Sequence, residues 1–494
     1  MNKRHPIREG QYIMKNKRLS YVTAMVAMVL LISGCTLAPA YKRPVSPVKG
    51  PFAAGETPKN QEAAAEKTDE KGAAAVPFKE FFVHPRLQAT VDLAVKNNRD
   101  LRVAALNLER AQALYRIQRS ALVPHLNANG SQNVQGLPDS LSPSGEASVS
   151  RRYDLNVGVS AYELDFFGRI RSLKAKALEQ YLATEQARST ANLAIAAETA
   201  GAWLTLAADK ERLKLAKETL GTQDETFTMI SRRAEAGASS DLELRQAQTR
   251  VEAARLDVVS YSAKVVQDEN ALDLIVGTTV PADLKPGDLT QVEKESETLK
   301  PISSGLDSTV LLSRPDVLAY ESQLKAAYAN IGAARAAFFP RITLTGTFGT
   351  ASSELGELFK GGPAWSFIPQ ITVPIFDAGN NRANLNVAKI DRDIAVANYE
   401  KAIQTAFREV SDTLSQKDRI DDQIKAQAAL LEATAETHRL SDIRYQGGLD
   451  SYLSVLDAQR SLYSAQQARI DLRLLKLSNQ VTLYKVLGGG TSGS

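Results

Sequence analysis

The chain has 494 residues, and 60 lysines and arginines against 56 aspartates and glutamates leave a net charge of only +4. The basic residues are scattered and not interleaved with aromatics, which argues against a nucleic-acid partner. One cysteine excludes an internal disulfide, a thiolate metal cage and a redox pair.

The first element in chain order is an export signal. Lys15, Lys17 and Arg18 precede an apolar run from Leu19 to Ile32, so Met14 is a better start than Met1. The run is too short to span a membrane comfortably. It ends in LISGC (31–35), which resembles the bacterial lipobox. That resemblance implies that 1–34 is a signal peptide and that Cys35 receives a diacylglycerol and an N-acyl chain. An ordinary secretory signal with an incidental cysteine is the alternative. Thr36 stands where an aspartate would favour inner-membrane retention, so the resemblance points to the outer membrane. Residues 35–80, rich in Pro, Ala, Lys and Glu, read as a lipid-anchored extended arm with little structure of its own.

The rest of the chain is written twice. Residues 100–126 align on 316–342, with Asp100 on Asp316, Arg119 on Arg335 and Pro124 on Pro340. Further on, a second constant offset sets Gly168 on Gly379, Arg233 on Arg444, Gln248 on Gln459 and Gly277 on Gly488. This gives a repeat over 85–280, a linker or equatorial segment over 281–305, and a second repeat over 306–490.

Each repeat opens with a helical run that stops before a proline, Arg86 to Val123 and Pro315 to Phe339. A β-hairpin follows, at about 124–164 and about 341–376. Tyr153, Leu155, Val157 and Val159 alternate with Asp154, Asn156, Gly158 and Ser160; Ile342, Leu344 and Phe348 alternate with Thr343, Thr345 and Thr347. Trp365, Phe367, Ile371, Val373 and Ile375 share one parity on the last strand. A helical hairpin then spans 168–277 and 379–488, with its long arm free of proline up to Ala236 and Gln446. An arm of this length reaches on the order of 100 Å at 1.5 Å per residue. Sparse aromatics and an Ala- and Leu-rich stripe let such helices approach closely.

Four strands cannot close a barrel, and an open sheet cannot sit in lipid with bare edges. The fold expected is therefore a mixed α+β membrane protein in which three copies give twelve strands. The helices would form a second, hollow barrel in the periplasm. A soluble β-sandwich is the plainer alternative.

The segments NNRDLRVAALN (97–107), ELDFFGRIRS (163–172), ALEQYLATEQAR (177–188), IGAARAAFFP (331–340), YEKAIQTAF (399–407) and YLSVLDAQRSLYSAQQ (452–467) resemble the TolC-like outer-membrane efflux factors, most closely their OprM-type lipoprotein branch. The resemblance covers essentially everything after Cys35. It implies a homotrimer with a 12-stranded barrel in outer-membrane lipid and a helical tunnel below it. It also implies two protein partners, a periplasmic adaptor and an inner-membrane, proton-driven transporter of the resistance-nodulation-division class. The family's periplasmic gate carries over onto Leu453, Asp457 and Arg460, with Tyr445 in a locking contact. Asp450 stands where some members carry a basic residue. Leu242 and Gln246 occupy the positions of Leu453 and Asp457 in the first repeat, so only one repeat carries the acidic ring. The turns at Arg233 and Gly237 and at Arg444, Gly447 and Gly448 are the expected adaptor-docking tips, and the two adjacent glycines are expected to make the second turn.

No HExxH, GxSxG, CxxC or phosphate-binding glycine loop is present, so no enzyme is expected. His5, His84, His125 and His438 read as surface or junction residues with no second ligand, and acid–base pairs such as Asp421, Asp422 and Lys425 as solvated helix faces. The expected function is the exit duct of a tripartite drug-efflux pump. The alternatives are a duct for secreted proteins or metal ions, and a coiled-coil lipoprotein that tethers the envelope.

Overall fold

The computed structural model describes residues 36–48, 52, 76–142, 145–301 and 308–489. The signal segment, Cys35 and most of the arm up to residue 75 lie outside the described residues. In chain order the elements are α1 (Phe78–Phe81), α2 (Pro85–Asn97), α3 (Arg99–Ser120), β1 (Leu126–Leu137), β2 (Ser148–Leu164), α4 (Arg169–Glu235), α5 (Asp241–Val276), α6 (Leu289–Glu295), α7 (Pro315–Ala336), β3 (Arg341–Ser352), β4 (Ala364–Thr372), α8 (Asn380–Gln446) and α9 (Tyr452–Val486). They fall into two compact units, Met1–Pro44 with Glu109–Ala183 and Glu321–Asn398, and Val45–Leu108 with Thr184–Tyr320 and Tyr399–Ser494.

The first unit holds one antiparallel sheet in the order β1-β2-β3-β4. Its register sorts side chains by polarity. Ala128, Val157, Phe348 and Trp365 stand opposite one another across the four strands, and Leu126, Val159, Gly346 and Phe367 form the next row on that face. The other face carries Asn127, Gly158, Thr347 and Ser366, then Asn129, Asn156, Gly349 and Ala364. The Thr347 and Ser366 hydroxyls bond at 2.7 Å, and Asn129 donates to Asn156 at 3.5 Å. Trp365 is 73% exposed, and Phe348, Phe367 and Ile371 are exposed with it. Within one chain the apolar face has no cover.

Glycine marks the polar side as the crowded one. A Cβ added at Gly158 would lie 2.3 Å from the Gly346 carbonyl oxygen, and one at Gly349 would lie 2.1 Å from that of Leu155. Neighbouring backbones close in on this side, as on the concave side of a curled sheet. In β2 the register shifts between Val159 and Tyr162 around Ala161, at φ +51°, whose N–H bonds the Thr345 hydroxyl at 3.0 Å. This bulge resets the side-chain parity before the chain enters α4. The second hairpin stops at Thr372 and not at residue 376, so Val373 and Ile375 lie beyond the ladder. Pro374 has no N–H with which to continue it. Pro369 is accommodated within β4 because β4 is an edge strand.

The expected helix from Arg86 to Val123 is two helices. Asn98 sits between them at φ −57° and ψ 134°. Its Oδ1 accepts from Leu101 N at 2.9 Å, capping α3, and its Nδ2 donates to Ile275 O at 2.6 Å at the end of α5. Arg314 makes the corresponding link in the second half, donating to Val486 O at 2.6 Å at the end of α9.

The second unit is built on a continuous apolar core that includes Phe81, Phe82, Trp203, Leu204, Leu272, Leu289 and Tyr484. Phe81 stacks on Tyr484 at 4.0 Å, and Trp203 Nε1 donates to Leu284 O at 2.9 Å. Val76 and Phe78, at the end of the arm, pack against this core. The start of the arm is extended yet held: Arg43 makes two hydrogen bonds to the buried Glu321 carboxylate at 2.6 and 3.1 Å. His84 is also a core residue, its Nε2 3.3 Å from the Glu295 carboxylate and its ring 5.2 Å from that of Trp203. Burial lowers its pKa.

Gly349→Val is expected to abolish outer-membrane insertion, because its side chain must displace strand backbone at a cost of about 1–3 kcal/mol or more. Gly346→Val, whose Cβ meets its nearest neighbour at 3.7 Å, should insert. Gel mobility of unheated and heated membrane samples distinguishes the two outcomes.

Candidate functional site at the glycine turns

Both long helices end in the same backbone device. Arg233 O accepts from Ala238 N at 2.7 Å and Ala234 O from Gly237 N at 2.9 Å; Arg444 O accepts from Leu449 N and Tyr445 O from Gly448 N, each at 2.9 Å. This pairing satisfies the last carbonyls and forces one residue into the left-handed region. Those residues are Gly237 at φ +74° and Gly448 at φ +72°. No heavy atom lies within 4 Å of a Cβ added at either, so the dihedral and not space demands glycine. Gly447 is not in that region, and Ala236 precedes Gly237 at the matching place. Both glycines lie in the second turn, and Gly448 alone carries the left-handed requirement.

The helices that return start at serines. Ser240 accepts from Glu243 N at 3.2 Å to cap α5, whereas Ser451 opens α9 without a side-chain cap.

Around the turns, the four helix ends share a small apolar core. Ile230, Ala247, Tyr452, Val455 and Leu456 are buried, and Phe227, Leu244 and Tyr445 pack against them. The Tyr452 ring lies 5.3 Å from that of Tyr445, and burial pushes its hydroxyl up to about 12. Arg233 places its guanidinium 5.4 Å from the centre of the Tyr445 ring and donates to its hydroxyl at 3.4 Å. Tyr445 thus joins the first turn to the second. Arg444 makes two hydrogen bonds to Asp450, at 2.6 and 3.0 Å, which hold that carboxyl below its ordinary range. A depressed carboxyl keeps its pair above the ordinary carboxylate range and releases it as pH falls. The pair is exposed and stiffens the turn more than it stabilises it.

Leu453 and Asp457 project from the other side of α9. Val455, Leu456 and Ala458 are buried, while Leu453 is 54% exposed and Asp457 is exposed. Arg460 lies 3.3 Å from the Asp457 carboxylate. Leu242 is exposed at the matching place on α5, and Gln246 is half-buried. The turns therefore hold two sets: Arg233, Tyr445, Arg444 and Asp450, tied within the chain, and Leu453, Asp457 and Arg460, presented outward.

Sequence reasoning missed the polar ties between the helices. Arg473, 15% exposed, bonds Glu211 and Glu293 at 2.7 Å each. Arg212 holds Asp209 and Asp471, and Tyr463 donates to Asp257 at 3.1 Å. No short spacing signals partners some 200 residues apart. Asp421, Asp422 and Lys425 do lie on exposed faces, with Lys425 3.2 Å from Asp422. Among the described residues no group could hold a metal ion, and no helix is long and apolar enough to cross a membrane.

The model of the outer membrane efflux protein family matches residues 90–278 and again 306–489. The chain belongs to that family. It is 45% identical to the probable efflux pump outer membrane protein TtgC of Pseudomonas putida, over 94% of this chain and 95% of the relative. It is 41% identical to the outer membrane protein OprJ of Pseudomonas aeruginosa, over 96% and 97%. The open state of the Neisseria gonorrhoeae MtrE outer membrane channel superposes with a TM-score of 0.81 at 37% identity, covering 92% of this chain and 99% of that one. This efflux-family chain is a transport duct of the outer membrane and not an enzyme, so the tethering lipoprotein is set aside.

Gly448→Ala is expected to lower unfolding stability by about 1 kcal/mol, the ordinary cost of a left-handed alanine. Gly447→Ala should stay within about 0.5 kcal/mol of the parent protein. Denaturation of both variants in detergent, followed by circular dichroism, measures the difference.

Proposed function

We propose that this efflux duct is the exit channel of a tripartite pump and works as a homotrimer. Its substrates would be antibiotics and small apolar toxicants. The observation that carries the reading is the open sheet: four strands, two free edges, one face of exposed aromatics and one of threonine, asparagine and serine. Lipid suits the first face and a wet lumen the second. Three copies supply twelve strands, pairing β1 of one with β4 of the next, and the barrel continues into a helical tunnel in the periplasm. Two observations support an internal duplication: the family model matches twice, and Asn98 and Arg314 make corresponding links to Ile275 and Val486. For cargo, relatives in Pseudomonas putida are named as an antibiotic efflux pump protein and a toluene efflux pump protein.

Leu453 and Asp457 form the resting gate in this reading. Repeated three times about an axis, the leucines make an apolar constriction and the carboxylates an acidic ring that draws cations and opposes closure by its own repulsion. Arg460 moderates that repulsion, and the Arg233–Tyr445 and Arg444–Asp450 ties hold the turns shut. The turns themselves, with Gly237, Gly447 and Gly448, dock the periplasmic adaptor, which links the duct to an inner-membrane transporter of the resistance-nodulation-division class. Cys35 carries the lipid anchor.

Deletion should raise susceptibility to dyes and several antibiotic classes together, and unchanged susceptibility to all of them counts against the pump reading. Asp457→Ala is expected to enlarge single-channel conductance or weaken block by multivalent cations in planar bilayers. If neither quantity moves, Asp457 is an ordinary exposed carboxylate.

A further inference from the structure

A cleft of about 270 Å³ opens where β2 and β3 meet the helices of the sheet-bearing unit. Phe166, Phe167, Phe339 and Pro340 give it an apolar floor, with the Phe167 and Phe339 rings stacked at 4.7 Å. Glu163, Asp165, Arg169 and Arg341 line its rim. Glu163 takes both arginines at 2.6 Å, and Asp165 is tied to Arg171 at 3.2 Å. The rim is therefore polar, with both carboxylates engaged by arginines.

The start of the arm runs straight toward this cleft. Arg43 bonds Glu321, the Tyr41 ring lies 5.6 Å from that of Tyr328, Ala38 lies against Gly332, and Leu37 O accepts from Arg335 at 3.0 Å. Arm numbers fall as α7 numbers rise, so the arm climbs α7 toward its C-terminal end. Thr36, the last step, has its hydroxyl 3.3 Å from that of Ser172. Ser172 is three residues past Arg169, about 4.5 Å along the α4 axis, and Gly332 is four before Ala336, about 6 Å along α7. Both Arg169 and Ala336 line the cleft. Gly332 is what admits the arm, since an added Cβ would lie 2.8 Å from Ala38.

We propose that this cleft seats the lipid carried by Cys35, the residue that precedes Thr36. The inference rests on the lipidation of Cys35 given above. Tethering selects among lipids. A diacylglyceryl thioether with an amide-linked acyl chain is uncharged, and its ester and amide carbonyls accept hydrogen bonds from arginine. A phospholipid phosphate would meet the same arginines, but only the Cys35 lipid is delivered to the cleft by the arm. The seat fixes the depth and side on which the anchor enters the membrane.

The test uses the full chain in outer membranes, labelled with an alkyne-bearing palmitate. A benzophenone side chain is placed at Phe339, at Ala337 in a second variant, and at the exposed Leu355 as a control. Irradiation should join the labelled N-terminal peptide to both cleft positions on the order of tenfold more than to the control, as expected of a tethered group at high effective concentration. Crosslinks to phosphate-bearing lipid instead, or no excess over the control at both cleft positions, overturn the seat while leaving lipidation standing. A chain that takes up no label overturns lipidation and the seat together.

Discussion

Two free strand edges set the terms on which this chain can exist in a membrane. β1 and β4 each expose a row of backbone N–H and C=O groups with no partner in the chain, and hydrocarbon provides none. The sheet cannot answer this by itself, because four strands are too few to close. Everything else in the sheet unit is consistent with edges met by other copies: aromatics on one face, hydroxyls and amides on the other, and glycines where backbones crowd. A closed barrel in lipid would thus need strands from beyond one chain.

The helical unit solves a different problem, that of keeping long helices in register. Its core is anchored by Trp203, Tyr484, Phe81 and Phe82, and buried ion pairs such as Arg473 with Glu211 add geometry where packing alone would let helices slide. At the turns the balance reverses. The local core is small, and the remaining ties are exposed ion pairs and one cation–aromatic contact. Contacts of that kind contribute about a kilocalorie or less each, so the tips are tied more weakly than the core.

Much of this was legible in the sequence because it is periodic. The alternation through Tyr153–Ser160 and Ile342–Phe348 identifies the hairpins, and the proline-free runs to Ala236 and Gln446 identify the long helices. The spacing of Leu453 and Asp457 placed both on one face of α9, and that face is exposed. What was not legible depends on single side chains acting at long range. Asn98 breaks a run that holds neither glycine nor proline, and its reason is the carbonyl of Ile275. The arm shows no periodicity because an extended strand is held contact by contact, by Arg43 and Tyr41 on Glu321. Both adjacent glycines fall in the turn as expected, but composition cannot say which of them has the positive φ.

Pro369 gives the edge strand β4 a consequence outside the finished channel. A chain by itself displays the same two edges, and any stray strand could add to them. A proline withholds one donor from the middle of β4 and so spoils it as a template for indiscriminate pairing. The gap is tolerable when a whole strand with complementary side chains arrives, and discouraging to a short or mismatched one. The same residue that marks β4 as an edge therefore also makes it a poorer template for amyloid-like growth.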